Sequence, residues 1–348
     1  MDSMRVITAH CHCGAFSLRH ELDPSTLPQP HTLCHCTSCR RRTGQLAVLP
    51  VLLPLYFPTS EDHAPLSSYT TCTGINPVTT SWCSTCGAKI FIRTMDSAGQ
   101  TQWALNLGLI DDPKGLMDVR GHSFLGDTND GGVSQILWSS LSKYSGEDGD
   151  LWEASVPTET MGQSSSLHLR CACSAFSVFL SRPDPTSSPS SRFRAQFCGC
   201  ETCRLVTGSC IPAVPFISGP LSSVHLHDPL TSNDKPTFNP GKRPAEEEPI
   251  SLESTLDLSG LSRYESTQGQ VSRYFCKTCG ASVIYHTAGS PNHIAFNAGL
   301  VDSVDGVLAQ DWLDWRYEIL YFEDAQRWST VLAWELKDGL AVWCEASA

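Results

Sequence analysis

The feature that most constrains this chain is a pattern of cysteines that occurs twice in the same order. The first occurrence runs Cys11-His12-Cys13-Gly14-Ala15-Phe16, then Cys34-His35-Cys36-Thr37-Ser38-Cys39-Arg40, then Cys83-Ser84-Thr85-Cys86-Gly87-Ala88. The second runs Cys171-Ala172-Cys173-Ser174-Ala175-Phe176, then Cys198-Gly199-Cys200-Glu201-Thr202-Cys203-Arg204, then Cys276-Lys277-Thr278-Cys279-Gly280-Ala281. Thr43-Gly44 and Thr207-Gly208 follow the middle blocks, and Asn106-Leu107-Gly108-Leu109-Ile110-Asp111 is matched by Asn297-Ala298-Gly299-Leu300-Val301-Asp302. Matched blocks in one order mark an internal duplication, which predicts two tandem domains rather than a solenoid. Tight pairs and triplets among 17 cysteines are the spacing of metal thiolates, not of a disulfide framework.

A structural zinc site takes four protein ligands in a tetrahedron, and thiolates suit it. Two short cysteine turns brought together by the fold supply four. The expected sets are Cys11, Cys13, Cys83 and Cys86, and again Cys171, Cys173, Cys276 and Cys279. The glycine after each late pair permits the tight turn of a metal knuckle. The middle clusters, Cys34, Cys36 and Cys39 and then Cys198, Cys200 and Cys203, offer three thiolates each. Three protein ligands with an open position is how catalytic zinc is held. The alternative is closure by a fourth side chain, with His35 or Cys72 as candidates in the first copy and Cys210 in the second. Zinc is therefore the expected cofactor, up to four ions per chain.

Formal net charge is -12, so the surface repels phosphate backbones and anionic lipids, and neither nucleic acid nor a membrane is an expected partner. No stretch reaches the roughly 20 apolar residues of a membrane span, and the first residues lack the apolar run of a secretory signal. A cytoplasmic location is expected, with a small molecule as partner; the sequence leaves the oligomeric state open. Residues 1–145 read as the first domain, 146–166 as a Gly-, Ser- and acid-rich linker, and 167–348 as the second domain. The second copy is longer between its middle and late cysteines, and the surplus falls at about 218–258. That polar, proline-rich insertion predicts a surface loop, or alternatively a lid over a site. Ala15 to Leu22, Lys89 to Arg93 and Val283 to Tyr285 read as strands, and the stretch after Cys36 through Thr43 as one or two helical turns. Long amphipathic helices are not expected. The fold class is mainly β, two tandem zinc-binding domains of short antiparallel sheets.

The Cys-x-Cys-Gly-Ala opening at Cys11, the Cys-His-Cys-x-x-Cys-Arg block at Cys34, the Cys-x-x-Cys-Gly-Ala block at Cys83 and the Gly-Leu-Ile-Asp-Asp block at Gly108 together resemble the family of the glutathione-dependent formaldehyde-activating enzyme and centromere protein V. The resemblance implies an Mss4-like fold of coiled sheets. It implies structural zinc on the outer four cysteines and, on the middle three, a second zinc that the thiol of glutathione approaches as co-substrate. It also implies carbon–sulfur lyase chemistry, the joining of formaldehyde to glutathione run in reverse. The expected catalytic group is Cys34, Cys36, Cys39, Arg40 and His122. Arg40 and Arg204 would partly neutralise the third thiolate, and Arg41 and Arg42 would meet carboxylates of a peptide-like thiol, unless they form a solvated basic turn. His122 alone also fits a buried core histidine. The second copy has Gly199 where the first has His35, and Asp314-Trp315 near the expected position of His122, so the first copy is the expected working one. The tandem arrangement widens the substrate to a thiol adduct or another carbonyl-bearing small molecule, including one of specialised metabolism. Two alternatives stand beside this: a zinc Lewis-acid isomerase, cyclase or dehydratase on the same scaffold, and a non-catalytic zinc scaffold that binds a protein partner.

Overall fold

Alternating apolar and polar side chains make short strands throughout, as in Ser17–Leu22, where Leu18 and Leu22 are buried while Ser17, Arg19 and Glu21 face solvent. The computed structural model describes residues 3–54, 56, 65–71, 77–96, 98–147, 149–153, 165–183, 190–211, 214–227 and 251–346. Cys72, most of the expected linker and the centre of the expected insertion lie outside the described residues.

Among the described residues one strand order occurs twice. In the first half it is Leu66–Thr71, Val78–Cys83, Lys89–Met95, Thr101–Asn106 and Pro50–Leu52. A bridge between Cys34 and Val48 carries it on to Gln29–Cys34 and Met117–Ser123. In the second half the order is Leu261–Thr267, Val271–Cys276, Ser282–Thr287, His293–Asn297, Val214–Pro220, Phe193–Cys198 and Leu313–Leu320, joined as one sheet. In these orders neighbours are antiparallel except for the final pair, which is parallel in each half; Ser142–Lys143 adds one more parallel step beside Met117–Ser123 in the first. Two hairpins, Arg5–His10 with Ser17–Leu22 and Leu167–Arg170 with Ser177–Leu180, carry the opening cysteine turns. The fold is mainly β, as the alternation predicts. The expectation that long helices are absent is corrected by Thr330–Ala346, a helix of 17 residues. It buries Ala333, Leu336 and Leu340, spaced by three and four as one helical face requires. Its Gly339 looks like a breaker in sequence, but a Cβ there would lie 1.7 Å from the carbonyl oxygen of Ile136, so the glycine permits close packing.

The two halves share one hydrophobic core, in which Phe16, Phe91 and Leu107 join Phe176, Phe296 and Leu340. Their contact is reciprocal. The helix Thr37–Thr43 of the first half packs on the turn Ala298–Leu300 of the second, and the helix Glu201–Thr207 packs on Leu107–Leu109. This explains the glycine in each repeated Asn-x-Gly-Leu block. A Cβ at Gly108 would lie 1.9 Å from the Ser209 carbonyl oxygen, and one at Gly299 would lie 2.3 Å from that of Gln45. The Gly299 amide also donates to the Gly44 carbonyl at 3.1 Å.

Backbone opposes backbone here, so no side chain can swing aside. Gly108→Ala should cost about 2–4 kcal/mol of stability, measured by denaturant unfolding. Gly146→Ala, which meets nothing within 4 Å, is the control and should be close to neutral. Equal stability of the two variants would contradict the reciprocal contact.

Candidate metal centres

Each outer site is built by two tight turns. In the opening turns, the amides of Phe16 and Phe176 donate to Cys11 Sγ and Cys171 Sγ at 3.4 Å. In the late turns, Cys83 N donates to the Ala88 carbonyl and Cys276 N to that of Ala281, both at 2.9 Å. Gly87 and Gly280 take φ of 80° and 74°, which glycine adopts without strain. The sulfurs of Cys11, Cys13, Cys83 and Cys86 lie within 4.8 Å of one another, as do those of Cys171, Cys173, Cys276 and Cys279. Neighbouring sulfurs are 3.5–3.6 Å apart. A zinc tetrahedron with bonds of about 2.3 Å has edges of about 3.8 Å, so both sets fit four-coordinate zinc with little movement.

Lys89 lies between the two outer sites. It is 1% exposed, and its Nζ donates to the Gly87 carbonyl of its own half and to Ser282 Oγ of the other, the latter at 3.1 Å. Burial pushes its amine down to about 8, while the thiolates of Cys279, Cys86, Cys276 and Cys83 pull it back up. Four thiolates around a divalent ion leave two negative charges, and this one ammonium faces both sets.

The triplets are also built locally. Cys36 and Cys200 are the N-caps of the helices Thr37–Thr43 and Glu201–Thr207, each sulfur accepting the amide of the third cysteine at 3.3 Å. The Thr-Gly that follows ends each helix, since Gly44 and Gly208 are left-handed caps. Cys34 and Cys39 sulfurs are 3.7 Å apart, Cys198 and Cys200 3.6 Å, and Cys198 and Cys203 3.5 Å. These are three corners of the same tetrahedron. Among the described residues no imidazole nitrogen, carboxylate or further sulfur joins either triplet. The first faces an apolar wall of Val48, Ile92 and Ala104; the second faces Val214, Phe216 and Ala295, with Tyr285 beside them.

An arginine reaches the third thiol of each triplet, and it comes from different places. Arg42 Nη2 is 3.3 Å from Cys39 Sγ, and Arg273 Nη2 is 3.3 Å from Cys203 Sγ. The second helix has Val206 at the position of Arg42, and the first half has Thr80 at the position of Arg273. Each guanidinium is steadied by a matched hydroxyl, Thr71 for Arg42 and Ser266 for Arg273. Contacts from Cys34 and Cys36 hold the Cys39 thiol well below its usual range, and Arg42 adds to this against burial. Cys203 is lowered in the same way by Cys198, Cys200 and Arg273.

Several residues singled out in the sequence stand elsewhere. Arg40 was expected beside the thiolate, but it follows Cys39 by one helical position and turns away, bonding the carbonyls of His35, Asp127 and Val301. Arg204 likewise bonds the Gly108 carbonyl and stacks over Trp328. Arg41 pairs with Asp302 of the other half. These arginines tie the halves together. His35 does not close the first triplet: its Nε2 is 3.0 Å from His122 Nδ1, and His122 Nε2 donates to the Trp138 carbonyl at 3.2 Å. Burial pushes His122 down to about 4 and His35 well below its usual value, so the pair is neutral. His122 thus bonds His35 and the Trp138 carbonyl, and neither imidazole joins the sulfurs of the triplet. Cys210 does not close the second triplet; its Sγ points across the interface to the Ala47 carbonyl at 3.5 Å. The counterpart of His122 is Ile319, not Asp314-Trp315. Leu33, before the first triplet, is in register with His122, and Phe197, before the second, with Ile319; a bulge beyond Ala195 shifts the count.

Residues 6–127 match the model of the glutathione-dependent formaldehyde-activating enzyme family. The matched segment contains the first outer site, the first triplet, Arg42 and His122. No curated protein and no solved structure matches the chain. Among the described residues no helix is long and apolar enough to cross a membrane.

If Lys89 balances both outer sites, Lys89→Met should speed zinc transfer to a chromogenic chelator from both of them by about tenfold, while the triplet metals leave at the wild-type rate. Release from a single outer site, or unchanged release, would show that the ammonium does not couple them.

Proposed function

We propose that the chain is a zinc-dependent enzyme of the carbon–sulfur lyase type, acting at the first triplet on an adduct between a thiol such as glutathione and a carbonyl-bearing small molecule. The observation that supports this most is three sulfurs at tetrahedral spacing, with no fourth ligand among the described residues and a cation on the third, inside the segment that matches the family. Zinc held by Cys34, Cys36 and Cys39 would receive a substrate thiol at the fourth corner and keep it as thiolate near neutral pH. A fourth thiolate raises the negative charge there, and Arg42 offsets it. The apolar wall of Val48, Ile92 and Ala104 beside Cys39 lowers the local dielectric, which strengthens that attraction. In the joining direction the sulfur lone pair bonds to the carbonyl carbon and the π electrons move to oxygen, which takes a proton from solvent. The reverse sequence returns thiol and carbonyl.

The second half is a second copy of the same domain in this reading, supported by its strand order, its matched ligand sets and Arg273 on Cys203. Its triplet is less exposed: Cys198 and Cys203 are buried, whereas Cys34 and Cys39 are half-buried. The first triplet is thus the working one. No disulfide joins the described cysteines, which suits a reducing compartment such as the cytosol.

The purified protein should carry four zinc ions per chain, one for each cluster, by elemental analysis. Cys83→Ser should lower thermal stability, because metal binding there is folding energy. Cys36→Ser should abolish adduct formation between glutathione and a panel of aldehydes while sparing most of the fold. Two zincs per chain, or two variants that melt alike and both turn over, would overturn the assignment of roles.

A further inference from the structure

The halves exchange more than helices and glycines. Each opening cysteine turn also lies against the triplet of the other half. The Ala172 amide, between Cys171 and Cys173, donates to the Arg41 carbonyl in the first triplet helix at 3.1 Å. A cavity of about 250 Å³ remains there, lined by Thr37, Ser38, Arg41, Tyr69, Thr71 and Ala172. Thr37 and Ser38 lie between Cys36 and Cys39, and Thr71 holds the arginine that touches Cys39.

The counterpart of Ala172 is His12, between Cys11 and Cys13. The counterpart of Tyr69 is Tyr264, since Leu66 pairs with Cys83 as Leu261 pairs with Cys276. Here the space is bridged. His12 Nδ1 is 2.7 Å from Tyr264 Oη, with the rings edge to face at 5.7 Å. The imidazole lies within the fields of Arg273, Glu201 and Cys203, the surroundings of the second triplet. Tyr264 stands two residues before Ser266, which steadies Arg273. Where the first pocket has the Ala172 methyl, the second has a hydrogen-bonded imidazole and phenol.

We propose that His12 and Tyr264 cap the second triplet, and that Ala172 leaves the first one open to a thiol-sized ligand. A single position in each opening turn thus decides which of two otherwise similar metal sites is accessible. This rests on the reading of the triplets as three-thiolate metal sites, and not on the reaction assigned to the first.

The test is a short pulse of iodoacetamide on the zinc-loaded chain, with each cysteine followed by peptide mass spectrometry. In the wild type, Cys34, Cys36 and Cys39 should react about tenfold faster than Cys198, Cys200 and Cys203. His12→Ala should raise the second set toward the first and leave the first unchanged. Ala172→His should slow the first set. His12 neighbours two ligands, so Tyr264→Phe, remote from any ligand in sequence, carries the test if His12→Ala loses zinc; it too should speed the second set. Equal rates in the wild type, or no change in the second set with Tyr264→Phe, would overturn the cap. Absence of turnover with every aldehyde, with the alkylation pattern intact, would remove the proposed reaction and leave the cap standing.

Discussion

Charge on sulfur is the constraint to which the rest of this molecule answers. The four clusters bring together fourteen sulfurs, and as thiolates around four divalent ions they would leave six negative charges in a largely apolar interior. Buried charge is costly without a partner. The partners are few and placed singly: Lys89 between the two outer sites, Arg42 at the first triplet and Arg273 at the second. Amides aimed at Cys11, Cys36, Cys171 and Cys200 supply further positive dipole. The acidic surface lies outside this balance and offers the metals no counter-charge.

That constraint also gives the two halves a reason to pair. Lys89 belongs to one half and serves the sulfurs of both. Arg40 and Arg204 each reach one carbonyl of the opposite half, Val301 and Gly108, and glycine admits backbone against backbone at Gly108 and Gly299. An isolated half would expose the apolar core shared with its neighbour and leave one outer site without its ammonium. The two halves are therefore one cooperative body in energetic terms, although each cysteine cluster is assembled from residues of one half.

The cysteine clusters were legible in the sequence because their residues come in turns of three or four, and local spacing determines which sulfurs can meet. The short strands and the helix after Cys36 were legible for the same reason. The cations that touch the sulfurs were harder to read. Arg273 is far from Cys203 in sequence, so only the fold brings it there. Arg42 did leave a signal: it follows Cys39 by three helical positions and shares its face, whereas Arg40 follows by one and cannot. The reach of Cys210 toward Ala47 and of His12 toward Tyr264 depends on how two halves dock, which no spacing within one half records. The helix Thr330–Ala346 was not read from the sequence; its Gly339 is accommodated because it lets the backbone of Ile136 approach closely.

The central claim is that the chain holds two closed four-sulfur sites and two three-sulfur sites, of which one accepts a thiol. Substitution of zinc by cadmium-113 and a nuclear magnetic resonance spectrum report the sulfur count at each metal directly. The account predicts four resonances, one per cluster, two typical of four sulfurs and two of three sulfurs with a lighter ligand. Added glutathione should move one of the latter pair to the four-sulfur region. Four four-sulfur resonances before any thiol is added, or movement of neither three-sulfur resonance, would contradict it.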